Sequence, residues 1–273
     1  VMSFKNKVVI VTGASSGIGA EIARVFASES AMLAIVGRNA DRLNKTAEEC
    51  EKISGGKSLQ IIADVANDDQ AKGIIGKTID EYKKIDVLIN NAGVYKFKSI
   101  LSEDFIKTFD EIIAVNLRAT AVLMKEAAPY LIETKGNIVN ISSIASTSPM
   151  EGGSSYGAAK AGLDHLTRCV ALDLAPKGVR VNTVNPGPTV TKEQNFQEMA
   201  SLSSAEMMEK IRITMANIIP LEAPADASEV AEMVIYLASD KAKSITGASY
   251  TIDSGCLLKG ISSLGVLFQN ASI

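Results

Sequence analysis

Tyr156 and Lys160 stand four residues apart within SYGAAKAG, residues 155–162. On a helix, residues at that spacing share a face. A phenol by itself titrates near ~10 and is a poor proton donor or acceptor at neutral pH. A cation beside it favours the phenolate and brings it towards the working range. The pair can therefore move a proton, or it can be a surface pair on an Ala-rich helix; its surroundings decide between the two. His165 is the only histidine. A Ser-His-Asp hydrolase would have to rest on it alone, and a structural role in an Ala/Leu helix is the simpler reading. Cys50, Cys169 and Cys256 are odd in number, widely separated and outside any CxxC. Neither disulfides nor a metal site is expected from them.

The elements that would position such a pair follow from composition and pattern. The chain has 273 residues and no Pro-, Gly- or Ser-rich linker, so a single α/β domain over 1–260 is expected. Apolar residues make up 47% and aromatic residues only 5%, without Trp. That is the aliphatic composition of a parallel sheet covered on both faces. A net charge of -3 without a basic run argues against a nucleic-acid partner. No apolar run reaches the length of a membrane span. Lys5 and Lys7 precede only a short apolar run, so no secretory leader and a cytoplasmic location are expected. Val1 and the segment 262–273, with its GVLFQ, read as engineered remnants and are set aside.

The β-branched run 8–11 predicts a buried first strand, followed by TGASSGIG and a helix over 20–29. Strand, glycine turn and helix is the context of a phosphate-binding loop. Gly13 permits the tight turn, Gly17 lets a phosphate approach the backbone, and Gly19 lets helix and strand pack closely. Ser15, Ser16 and Ile18 complete the loop, and the helix start offers N–H groups to a pyrophosphate. A second strand over 32–36 ends at Gly37, Arg38 and Asn39. A carboxylate there would bind the ribose hydroxyls of NAD. Gly37 takes that place, and the Arg38 guanidinium can grip a 2′-phosphate, which favours NADP(H) over NAD(H). The competing reading makes Arg38 a solvated loop residue and gives the ribose to Asp41. A third strand over 59–63 ends at Asp64 and Val65, where the carboxylate either meets an adenine or caps the next helix. The fourth strand runs into Asn90, Asn91, Ala92 and Gly93, small residues that let backbone face a ligand.

A long helix is expected over 103–134, with Asn116 in its middle. A mid-helix Asn competes for backbone hydrogen bonds, and a kink opening towards a proton relay would account for it. The fifth strand, 137–141, ends in Ser142 and Ser143; the sixth, 179–184, stops at NPGP, followed by Thr189 and Thr191. Residues 192–220 turn Met-rich, which reads as a lid over 188–225 or as a surface helix packed on the core. A last helix over 227–237 and a short seventh strand over 249–252 close the chain.

Strands alternating with helices predict a doubly wound, Rossmann-type parallel sheet of seven strands. TGASSGIG, NNAG at 90–93, Asn116, Ser143 thirteen residues before Tyr156, YGAAK and the Pro186–Gly187 pair together resemble the short-chain dehydrogenase/reductase family over about 5–255. The resemblance implies NAD(P)-dependent carbonyl–alcohol interconversion without a metal. It makes Tyr156 the general acid or base and has Lys160 lower its pKa and hold the nicotinamide ribose. Ser143, in preference to Ser142, would hold the substrate oxygen, and Asn116 would anchor a relay water. Asn91 to Gly93, Pro186, Gly187, Thr189 and Thr191 would line the cofactor. It also implies a homo-oligomer, a tetramer or a dimer. LEAP at 221–224 departs from the Arg and Gly common there, and Ser16 stands where many NADP-using relatives carry a basic residue. The Met-rich lid suggests an apolar carbonyl substrate: steroid-, prenyl- or acyl-like. The competing readings are an NAD-dependent alcohol dehydrogenase working in oxidation and a non-catalytic NADP(H)-sensing scaffold.

Overall fold

The computed structural model describes residues 3–191 and 218–261. Its centre is a seven-stranded parallel sheet in the order β3-β2-β1-β4-β5-β6-β9. The strands are β1 (Val8–Thr12), β2 (Met32–Gly37), β3 (Leu59–Ile62), β4 (Val87–Asn90), β5 (Asn137–Ile141), β6 (Arg180–Pro186) and β9 (Ser249–Ile252). Every residue of β1 is buried, because a central strand covered on both faces has no solvent side. The side chains alternate between two cores. Val9 and Val11 join Phe26 of α1 (Gly17–Ser28), Leu43 of α2 (Ala40–Ser54) and Val230 and Val234 of α7 (Ala227–Ala238). Ile10 joins Ile74 of α3 (Asp68–Tyr82) and Leu123 of α5 (Ala119–Thr134) on the other face.

The chain winds outward one way through β2 and β3 and the other way through β4, β5 and β6. The crevice where the direction reverses lies between β1 and β4, beyond their carboxyl ends. In sheets of this type that is where ligands bind. Thr12 stitches the crevice together. Its Oγ1 accepts from Asn91 N at 3.0 Å and Ala92 N at 3.1 Å, and donates to Ile89 O at 3.3 Å.

Several elements differ from expectation. The long helix is α4 (Phe105–Ile113) and α5 joined by a π-helical turn, Ala114–Arg118. Asn116 lies at the middle of that π turn. The sixth strand runs on through Pro186, because each residue there has a partner on β9. The cap of α3 is Asn67, which accepts from Gln70 N at 3.1 Å; Asp64 instead closes a turn, accepting from Ala66 N at 3.0 Å. A short α8 (Cys256–Lys259) follows β9. Two strands missed in sequence, β7 (Thr189–Val190) and β8 (Ala225–Asp226), pair with each other. They join the two ends of the expected lid, whose residues 192–217 lie outside the described ones.

Candidate active site

The chemistry sits on α6 (Ser154–Leu174), which packs against β6 and the 3-10 turn Ile144–Ser146. That turn follows β5 and brings Ser143 beside Tyr156, near enough for its hydroxyl to draw the phenol's pKa down. Ser143 Oγ also accepts from Ala145 N at 3.1 Å, which fixes its side chain at the start of the turn. Ser142 is buried and donates to Lys160 O at 3.3 Å. Of the two serines, therefore, Ser143 faces the phenol.

Lys160 is only 4% exposed. Its ammonium donates to Ile141 O at 2.8 Å and lies 5.7 Å from the centre of the Tyr156 ring. Burial brings its pKa down to about 8, with the Asp164 carboxylate opposing the fall. The phenol of Tyr156 moves the other way from the one expected. Burial raises its pKa, the Ser143 hydroxyl offsets part of the rise, and the nearby Tyr95 adds to it. Lys160 does not reverse this, because its side chain is turned inward onto the carbonyl at the end of β5.

Asn116 is 1% exposed, and both ends of its amide are used. Nδ2 donates to Val94 O at 2.6 Å and Oδ1 accepts from Val94 N at 2.8 Å. The side chain thus clamps the loop after β4. The π turn around it departs from the regular helical hydrogen-bond ladder.

The residues around the glycine turn fit a dinucleotide. Gly13 and Gly17 have φ of 67° and 61°, a left-handed region that suits glycine. A methyl on Gly13 would lie 2.8 Å from both Asn91 Nδ2 and Ala92 Cα, and one on Gly19 would strike Gly13 O. Gly17 is different: its missing side chain faces nothing nearer than Thr191 Cγ2 at 3.7 Å. That room lies at the start of α1, where the Ser16 side chain makes no cap hydrogen bond. Space, backbone and a helix N-terminus converge there as a pyrophosphate requires. Ser15 packs under Gly37, where a Cβ would come within 3.0 Å of it. A carboxylate at 37 would crowd the glycine loop, and the next residue, Arg38, is exposed.

The other expected cofactor residues divide by what they touch. Asn91 Nδ2 donates to Thr12 O at 3.0 Å and Gly13 O at 3.3 Å, so the side chain holds the crevice and the Ala92–Gly93 backbone is left to line it. Asn39 caps α2 by accepting from Arg42 N at 2.9 Å, and Asp41 lies in that helix's first turn. Gly187 is a packing glycine: a methyl there would lie 2.7 Å from Asp253 Cβ. Pro186 ends β6, Val65 is buried beside Asp64, and Thr189 Oγ1 donates to Gly187 O at 3.0 Å. Thr12, Asp164 and Asn185 were not singled out in sequence. Asp164 was findable, as it extends the 156/160 spacing by one more helical turn.

A profile described as enoyl-(acyl carrier protein) reductase matches residues 13–256. The chain is 32% identical to the glucose 1-dehydrogenase of Gluconobacter oxydans, over 94% of each chain. It superimposes on the L-sorbose reductase of Gluconobacter frateurii, solved with NADPH and L-sorbose, with a TM-score of 0.88 at 26% identity, covering 94% of this chain and 98% of that one. It superimposes likewise on a 7α-hydroxysteroid dehydrogenase, solved with NADH and 7-oxo glycochenodeoxycholic acid, with a TM-score of 0.84 at 27% identity, covering 96% and 97%. Fold and relatives define an α/β oxidoreductase of CH–OH and carbonyl groups. The chain belongs to the short-chain dehydrogenase/reductase family.

Proposed function

We propose that the protein is an NADP(H)-dependent reductase of an apolar ketone or aldehyde, with Tyr156 as its proton donor and, in the reverse direction, its proton acceptor. The meeting of Ser143 and Tyr156 beside the buried Lys160, at the carboxyl edge of the sheet, carries this reading. When bound, reduced nicotinamide supplies the hydride. Ser143 holds the substrate oxygen and Tyr156 gives it a proton as the carbonyl becomes an alcohol. A phenol whose pKa is raised by burial is protonated at neutral pH, as a proton donor must be. The Lys160 ammonium stabilises the phenolate left behind, and Asn116, in the π turn, anchors the relay that restores the proton. Asn91 to Gly93, Thr189 and Thr191 flank the cofactor. Among the described residues, no group of His, Cys, Asp or Glu could hold a metal.

Arg38 supports the preference for NADP(H): it is exposed and directly follows a position that Ser15 keeps free of a carboxylate. Ile144, beside Ser143, belongs to an apolar cluster with Ile218, Ile219 and Met150, which supports an apolar substrate. The pairing of β7 with β8 joins the chain on either side of 192–217, which supports a single domain over 1–260; the lid expected over 188–225 falls mostly outside the described residues. Ile106 on α4 and Leu172 on α6 are 65% and 77% exposed, which supports a homo-oligomer formed through those helices. Among the described residues, no helix is long and apolar enough to cross a membrane.

The test is cofactor consumption with NADPH and NADH in parallel against ketones, aldehydes, sugars and diols, with Tyr156→Phe as the blank. Turnover of a steroid or prenyl ketone with NADPH, lost in Tyr156→Phe, is expected. Arg38→Ala should weaken NADPH binding at least tenfold, about 1.4 kcal/mol, and leave NADH binding nearly unchanged. Turnover of glucose or sorbose alone would overturn the apolar substrate, and an NADH preference would overturn the cofactor.

A further inference from the structure

We propose that Asn185 is a positioning residue for this chemistry: its side-chain amide holds both ends of the turn that presents the Ser143 hydroxyl to the substrate oxygen. Asn185 lies near the carboxyl end of β6 and is 3% exposed. Its Nδ2 donates to Ser143 O at 3.3 Å and to Ser146 Oγ at 3.0 Å. The same nitrogen donates to Asp164 Oδ2, on α6, at 2.8 Å. One amide group thus joins a strand, the turn, and the helix that carries Tyr156.

The backbone link between β5 and β6 reaches as far as Ser142 N, which donates to Val184 O at 2.7 Å. Beyond it, among the described residues, the hydrogen bonds from β6 to the turn are those of the Asn185 side chain. The turn moves as a unit, because Ser143 Oγ accepts from Ala145 N within it. Holding its two ends therefore holds the hydroxyl. Asn185 Oδ1 is buried without a hydrogen-bond partner. Even so, the direction of the amide is fixed. Carboxylate and carbonyl oxygens only accept, so reversing the amide would set oxygen against oxygen at Asp164 and Ser143. An apolar side chain would fill the same space without leaving a buried oxygen unpaired. What the amide supplies instead is the grip of its nitrogen on the turn. The neighbouring polar groups of α6 are engaged elsewhere. Thr167 accepts from Asn140 at 2.9 Å, and His165 and Arg168 meet at 3.3 Å on the exposed face. The inference rests on the reductase reading for its purpose, but not for its first test.

Amide exchange in the 15N-labelled protein reads the turn directly, because the Ala145 N–H is protected by Ser143 Oγ. Asn185→Ala should speed exchange at Ala145 by about tenfold or more beyond any change at the amides of β1, which open only with the whole fold. Ser146→Ala removes one arm of the grip and should do the same to a smaller extent, while Ser146→Thr should largely restore the rate. An unchanged Ala145 rate in folded Asn185→Ala, or a rise shared equally by β1, overturns the proposal. If Asn185→Ala does not fold, Ser146→Ala decides the matter by the same two criteria. With a substrate in hand, Asn185→Ala should lower kcat by about tenfold and leave KM for the cofactor nearly unchanged. In a Ser143→Ala background it should lower kcat no further, and a second loss of about tenfold there would also overturn the proposal. The exchange measurement uses no turnover, so a substrate screen that sinks the reductase reading leaves it intact.

Discussion

At the scale of single residues, Lys160 sets a trade between stability and activity. Its folded pKa, about 8, lies below the ~10.4 of a lysine in an unfolded chain. The unfolded state therefore binds more protons between those values, so stability rises with pH across that window and is lowest below it. Lys160→Met removes the buried charge. It is expected to raise Tm at pH 7 by about 2–6 °C while turnover falls by about a hundredfold or more. The gain in Tm should shrink as pH climbs from 8 and vanish above ~10.4. Melting curves of both proteins over that range check the sign. A stabilisation that did not change with pH would mean that packing, rather than charge, had been altered. Tyr156→Phe should leave Tm nearly unchanged and lower turnover by about three to four orders of magnitude.

Among the elements, the junction of β1 and β4 and the loop before α7 make separable claims. Thr12 is 1% exposed and receives two backbone N–H groups, from Asn91 and Ala92. Thr12→Val keeps the shape and orphans both donors, which should cost about 2–4 kcal/mol. Urea unfolding measures this, and a loss under about 1 kcal/mol would mean that the crevice is held elsewhere. Glu222 has a φ of 62° in the LEAP segment. A left-handed conformation costs a side chain roughly 1 kcal/mol, and glycine gives part of that back as unfolded-chain entropy. Glu222→Gly is therefore expected to raise stability by up to about 1 kcal/mol, and a clear loss would mean that the Glu222 side chain itself holds the loop. The same segment shows why some elements escaped the sequence reading. Strands of two residues, such as β7 and β8, have too short a pattern to register, and only their partners make them strands.

For the whole molecule, both faces of the sheet are covered and the remaining apolar exposure is local. Ile106 and Leu172 lie on α4 and α6, which pack together. If that face is shared between copies, Ile106→Asp with Leu172→Asp should convert the oligomer to a smaller species by light scattering, with little change in the monomer's helix content. An unaltered mass would place the contact on another face.

Glycine spacing, the 156/160 pair, Ser143 and the order of strands and helices were legible in the chain because each depends on neighbours within a few turns. Backbone sterics and helical period settle those features before any packing occurs. The direction of the Tyr156 shift was not legible, nor was the use of the Asn116 amide on Val94, the stitch at Thr12, or the Asp164–Asn185 link. These depend on groups far apart in sequence, 79 residues for Thr12 with Asn91 and 21 for Asp164 with Asn185. The order of strands in the sheet decides which of them meet. Burial, which lowers the Lys160 pKa and raises that of Tyr156, exists only once the helices have closed over that sheet.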